Sequence, residues 1–278
     1  MGSGKAQPMY SKVMTEQGYK KISSLKIGDT VYGENGQLHE ILGIFPQDEK
    51  DIYEITFSDG SKTRSCDEHL WTYQFPQDKS VNKFRTNTLN EIMKLNLYKI
   101  TNRGDKNWQI FVPLTKPLEI KETKLEIDAY AMGALLGDGG FTDCSITFTN
   151  NEYDIVKKLQ NALGKQYKLS EKDKNNYIIV NNQLIDYNIK GYNNLLKFQL
   201  NQFNLLGVHS NKKFIPKQYL LNSINNRIKI LQGLIDTDGE VDANNIYFST
   251  TSNQLAKDIQ FLVHSLGGTC KITNRQTY

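Results

Sequence analysis

Along the first quarter of the chain, apolar and polar residues alternate in short runs such as "DTVYG", "HEILGIF" and "DIYEITFSDGSKTRS", separated by "GENGQ" and "PQDEK". Period-two alternation interrupted by turn formers predicts half-buried strands and hairpins across residues 8–75. A short helix is expected within "KSVNKFRTNTLNEIMKLN" and a further strand in "WQIFVPL", after which the charged run "KPLEIKETKLE" reads as a linker. A domain boundary is therefore expected near residue 120. Beyond it the apolar spacing lengthens to that of helices, over 127–137, 152–164, 192–204, 224–236 and 252–266, with strands between them. The expected fold class is α+β, an all-β domain followed by a mixed one.

The mixed half repeats itself. At an offset of 100 residues Gly133 matches Gly233, Asp138 matches Asp238, Gly139 matches Gly239, Ile146 matches Ile246 and Phe148 matches Phe248. The correspondence continues through Lys157 with Lys257 and Gln160 with Gln260. Each copy reads as helix, Asp-Gly, strand pair, helix, so two copies can pack about a pseudo-twofold axis. Gly133, Ala134 and Gly233 would let the two leading helices approach closely, with Leu135, Leu136, Leu231, Leu234 and Ile235 filling the adjacent core. Asp138 and Asp238 would then emerge together at two helix C-termini, where the dipoles are negative and the carboxylates repel. A hard divalent ion such as Mg²⁺ removes that conflict and can hold a phosphate oxygen and a water. The plainer alternative is that each Asp-Gly only stops a helix and starts a turn. Asp236, whose counterpart is Leu136, stays open between the site and a structural role.

Composition narrows the classes. With 278 residues and 38% hydrophobic content the chain can bury two cores. No run of about 18 apolar residues occurs, and the start does not read as a signal peptide, so a non-secreted protein with no membrane partner is expected, cytoplasmic or wherever a host protein carrying it resides. Three cysteines without CxxC spacing argue against a disulfide framework or a zinc knuckle. A net charge of +4 permits nucleic-acid binding without requiring it. "MGSGK" has the tail of a phosphate-binding loop but lacks its first glycine and its Ser/Thr. Residues 1–5 are therefore expected to be a tag or a flanking remnant.

"LQGLIDTDG" resembles the LAGLIDADG motif of homing endonucleases, departing at Gln232 and Thr237, and "GALLGDGG" resembles the degenerate first copy of members borne by inteins. "KKFIPKQYL" resembles the Lys-x-Ile-Pro block between the two motifs, and "FSTTSNQLAKDIQFLVHSLGG" the block after the second. This resemblance covers residues 127–278. It implies a pseudo-twofold αββαββα domain over residues 121–278, acting as a monomer on double-stranded DNA, the host allele without the insertion. It further implies Mg²⁺-dependent cleavage with Asp138 and Asp238 as metal ligands and Lys213 as the catalytic lysine. Without the resemblance, Lys213 beside Lys212 and Lys217 also reads as a solvated basic turn.

The β region carries a second resemblance. "SKVMTEQGYKKISSLKIGDTVYG" is similar to the first block of inteins and "DGSKTRSCDEHLWTYQ" to their second. Residues 6–120 are thereby expected to be the N-terminal part of a Hint splicing domain. The resemblance puts the first intein residue at Ala6, where Cys or Ser is usual, the activating histidine at His69, and Cys66 where Thr usually stands. An N-to-S acyl shift at the Lys5–Ala6 bond needs a side-chain nucleophile, which Ala6 lacks, so no thioester is expected. His69 and Cys66 also admit structural readings, a satisfied histidine and an inert buried thiol. His39, His209 and His264 read as structural or surface groups.

"GGTCKITNRQTY" supplies one expected strand where the first copy has more, and no His-Asn ending follows. A C-terminal intein fragment and flanking exteins are therefore the expected protein partners. The competing expectations are a non-cleaving nucleic-acid-binding module with the same fold, and a free-standing endonuclease with an accessory β domain.

Overall fold

The computed structural model describes residues 6–182, 192, 194–243 and 245–276, in two compact units, Met1–Leu118 and Glu119–Tyr278. Residues 1–5, and with them the Lys5 side of the expected scissile bond, lie outside the described residues.

The first unit is a series of antiparallel hairpins. β1 (Lys12–Thr15) pairs β2 (Gly18–Lys21), and β3 (Thr30–Tyr32) pairs β4 (Leu38–Glu40). β5 (Tyr53–Thr56) pairs β6 (Lys62–Ser65), and β7 (Leu70–Tyr73) pairs β8 (Arg85–Thr88). The expected helix is the single turn α1 (Leu89–Met93), opened by a capping box in which Glu91 N–H donates to Thr88 Oγ1 and Thr88 N–H donates to Glu91. β9 (Tyr98–Ile100) pairs β10 (Lys106–Trp108). The "WQIFVPL" expectation is corrected here. The strand ends at Trp108, and Phe111 contributes only an isolated bridge to Gln74, because neighbouring backbone does not run alongside long enough to build a ladder. In "HEILGIF" only the first two residues are strand, and Leu42 and Phe45 are exposed.

The second unit builds its core between helices and one sheet. α2 (Ala129–Asp138) is capped by Asp128, whose carboxylate accepts from Tyr130 N–H, and leads into β11 (Gly139–Gly140) and β12 (Thr147–Thr149). Then come α3 (Tyr153–Leu163), β13 (Tyr167–Asp173), β14 (Asn176–Asn181), α4 (Leu195–Gln202) and α5 (Lys217–Leu220). The second copy is α6 (Ile224–Asp238), β15 (Gly239–Asp242), β16 (Asn245–Phe248) and α7 (Asn253–Ser265). The two hairpins keep the same register, Gly139 opposite Phe148 and Gly239 opposite Phe248. Met132, Leu135, Phe141, Ile146, Leu159, Ile230, Leu234 and Leu262 belong to one buried cluster. Among the described residues no helix is long and apolar enough to cross a membrane.

The αββαββα pattern is complete only in the first copy, whose sheet runs β11-β12-β14-β13. The second sheet is the pair β15-β16, and the expected strand in "GGTCKITNRQTY" is absent among described residues 267–276. Its backbone starts where a strand would. Gln260 Nε2 donates to Cys270 O at 2.9 Å just as Gln160 Nε2 donates to Tyr167 O at 2.9 Å at the head of β13. What makes β13 a strand is its ladder with β14, and the second copy has no such neighbour among the described residues. The same difference shows in burial, since Phe141 and Ile146 are 1% and 0% exposed while their counterparts Val241 and Ile246 are 69% and 66% exposed.

Candidate nuclease site and candidate splicing centre

Glycine places α2 and α6 in backbone contact. A Cβ on Gly133 would lie 2.2 Å from Ile230 O and 3.1 Å from Gly233 Cα, and one on Gly233 would lie 2.2 Å from Tyr130 O. No side chain fits at either position, so the helices pack closer than any larger pair allows. One turn on, a Cβ at Gly137 would lie 2.0 Å from Thr237 Oγ1 and 3.4 Å from Asp238 Oδ2. Both C-terminal ends therefore meet, and Asp138 and Asp238 end the two helices side by side.

The two carboxylates feel their setting differently. Asp138 is partly buried, and burial pushes its pKa up, opposed by a hydrogen bond from Asn150 and reinforced by the charge of Asp238. Asp238 keeps more open surface, yet lost hydration still pushes it up against the pull of Lys213. Asn150 Nδ2 donates to Asp138 Oδ2 at 2.7 Å.

Lys213 is not a surface turn. It is 4% exposed, and its ammonium donates to Leu136 O at 2.9 Å, Gly137 O at 3.0 Å and Gly139 O at 2.8 Å, 5.0 Å from the centre of the Phe141 ring. It thus satisfies carbonyls that α2 leaves unpaired at its C-terminus. Burial lowers its pKa to about 8, against the opposing charges of Asp238 and Asp138. Sequence reasoning missed what holds it: Ser252 Oγ donates to Lys213 O at 2.6 Å while capping α7, and Asp258 accepts from Ile215 N–H at 2.9 Å. Both lie in "FSTTSNQLAKDIQ", where a Ser three residues ahead of the first apolar helix residue signals a cap but not a contact made 39 residues upstream. Asp236 faces away from the pair, accepting from Tyr130 Oη at 2.9 Å and Lys158 Nζ at 2.8 Å, and ties α6 to α2 and α3.

Two converging carboxylates whose burial disfavours their charge fit a hard divalent ion. Among the described residues no group of three or more His, Cys, Asp or Glu could hold a metal. The chain would supply Asp138 and Asp238 only, which suits Mg²⁺, an ion that commonly takes one or two carboxylates and fills its octahedron with water and substrate phosphate.

In the first unit, Cys66 is fully buried and its N–H donates to Ala6 O at 3.2 Å, so Ala6 is seated on the end of β6. His69 N–H donates to Cys66 O at 3.3 Å, closing a turn that places its ring 5.6 Å from the Trp71 ring. Ala6, Cys66 and His69 are thus linked by two backbone hydrogen bonds. The remaining histidine nearby in sequence, His39, is exposed and pairs with Asn35 Oδ1 at 3.0 Å.

Residues 225–278 match the family model of the LAGLIDADG-like domain. The matched part takes in α6 from its second residue, β15, β16 and α7. Two curated relatives match at greater length: the replicative DNA helicase DnaB of Mycobacterium intracellulare, 22% identical over 99% of this chain and 45% of its own, and the replication factor C small subunit of Methanocaldococcus jannaschii, 24% identical over 89% of this chain and 14% of its own. The chain thus spans less than half the length of either relative. A crystal structure of the gp41-1 intein is 27% identical and covers 40% of this chain and 80% of its own, at a TM-score of 0.28, too low to define a shared fold.

Proposed function

We propose that this chain is part of an intein that carries a homing endonuclease, with residues 6–118 serving splicing and residues 119–278 cutting double-stranded DNA in a Mg²⁺-dependent reaction. The observation that carries the nuclease reading is the meeting of Asp138 and Asp238 at the ends of two helices in backbone contact, with the buried ammonium of Lys213 beside them. When bound there, Mg²⁺ would polarise the scissile phosphate and lower the pKa of an attacking water. Asp138 and Asp238 would hold the ion between the two repeats. Lys213, fixed by α2 carbonyls, presents positive charge where the phosphate gains negative charge.

The splicing reading is supported by the two backbone hydrogen bonds that link Ala6, Cys66 and His69. It also agrees with the matches to two differently named replication proteins, each aligned to a minor part of its length, as an insertion carried by different hosts would be. In this chain Ala6 offers no nucleophile, so the acyl shift does not start. With cysteine at position 6 the thiolate would attack the carbonyl of residue 5, and His69 would protonate the departing nitrogen.

The test is cleavage of a plasmid carrying the host gene joined across the insertion point. Linear product that requires Mg²⁺ supports the proposal, and retained DNA binding without any cleavage favours the non-cleaving module. For splicing, Ala6→Cys should yield a hydroxylamine-sensitive thioester, and its absence from a folded Ala6→Cys chain would remove that half of the proposal.

A further inference from the structure

The repeat makes the two acids formally equivalent, but their surroundings are not. Asn150, at the end of β12, is nearly buried and fixed in three ways: its N–H donates to Asn175 O at 2.9 Å, its Oδ1 accepts from Glu152 N–H at 2.7 Å, and its Nδ2 donates to Asp138 Oδ2 at 2.7 Å. Because Oδ1 is committed to a backbone donor, the amide orientation is determined and Nδ2 must face the carboxylate. The counterpart at the same offset is Thr250. Its Oγ1 accepts from Ser252 N–H at 3.1 Å, doing the turn-forming work of Asn150 Oδ1, but it has no second polar atom to send to Asp238. Among the described residues no hydrogen bond reaches the Asp238 carboxylate. The hydrogen bonds of Lys213 also go to one side only, to carbonyls at the end of α2 and to Gly139 O, although its charge faces both acids.

We infer that Asn150 is a positioning residue that locks the Asp138 carboxylate and makes the first repeat the pre-organised half of the site, with Asp238 the adaptable half. This rests on the reading of the two acids as ligands of a divalent ion. A carboxylate pinned through Oδ2 has one oxygen left to turn toward an ion and loses little freedom on binding it, as hydrogen-bonded metal ligands generally do.

The test is titration with Mn²⁺, followed by electron paramagnetic resonance, of the unsubstituted chain, Asn150→Thr and Thr250→Ala. Asn150→Thr gives the first repeat the residue of the second, which keeps a hydroxyl for Glu152 N–H and removes only the donor to Asp138. About tenfold weaker Mn²⁺ binding is expected in Asn150→Thr, in line with loss of an outer partner of a ligand, and a change below about twofold in Thr250→Ala. Equal effects in both variants, or none in Asn150→Thr, would overturn the inference while leaving the proposed site standing. No Mn²⁺ binding by the unsubstituted chain would overturn both. A second measurement covers a variant that fails to fold: in the unsubstituted chain the Asn150 side-chain amide signal should shift on adding Mg²⁺ while that of exposed Asn151 stays, and an unmoved Asn150 signal contradicts the inference.

Discussion

At the scale of single residues, the tightest constraint is the pair Gly137 and Thr237. Thr237 fills the space a Cβ on Gly137 would need, its Oγ1 donating to Gly233 O and Leu234 O at 3.0 Å each. Gly137→Ala should cost about 1–3 kcal/mol of stability through overpacking, and Thr237→Gly in the same chain, which removes both the Oγ1 and the Cβ that the new methyl would meet, should return most of it. Thermal unfolding of the double-mutant cycle checks this, and strict additivity would contradict the contact. Lys213 gives a pH prediction. Its folded pKa of about 8 lies below the usual lysine value of 10.5, so charging it costs folding free energy. That cost is full below about pH 8 and fades as pH rises toward 10.5, reaching on the order of 3 kcal/mol for a shift of this size. Relative to Lys213→Met, the unsubstituted chain should therefore gain stability between those pH values, measurable by urea denaturation. The acids were legible in sequence because Asp-Gly recurs behind small-residue helices. Asn150, Ser252 and Asp258 were not, because a side chain that positions another leaves no periodic trace and its partner lies far along the chain.

At the scale of elements, the repeat was readable as far as the hydrophobic period carries it. α2, α6 and α7 sit close to their expected spans, since amphipathic spacing and Asp or Ser caps coincide there. The expected strands in "WQIFVPL" and "GGTCKITNRQTY" failed for one reason, that a strand exists only with a neighbour, which local alternation does not reveal. α7 carries more than packing. Ser252 both caps it and holds the backbone of Lys213. Ser252→Ala should lower the stability of this unit by about 1–2 kcal/mol as a lost cap. It should also raise the reactivity of Lys213 toward an acylating reagent, read by peptide mapping, as the segment bearing it loosens. Lowered stability with unaltered labelling would mean that the hydroxyl acts on the helix alone.

At the scale of the whole molecule, the chain joins a hairpin-rich unit with a sparse core to a unit with an extensive one. The buried cluster lies entirely in the second unit, between Ile127 and Leu262, which gives that unit a core of its own. The second unit is also where the family match falls. Two identities in sequence, Asp138 and Asp238, become one place only because Gly133 and Gly233 let their helices touch. The most direct test of that claim is cleavage of a plasmid bearing the joined host gene by the unsubstituted chain, Asp138→Asn and Asp238→Asn, with DNA binding measured in parallel. Either substitution alone should abolish double-strand cleavage while binding persists, because in the proposed reading both acids serve one ion-dependent site. Undiminished cleavage after either substitution would contradict the account.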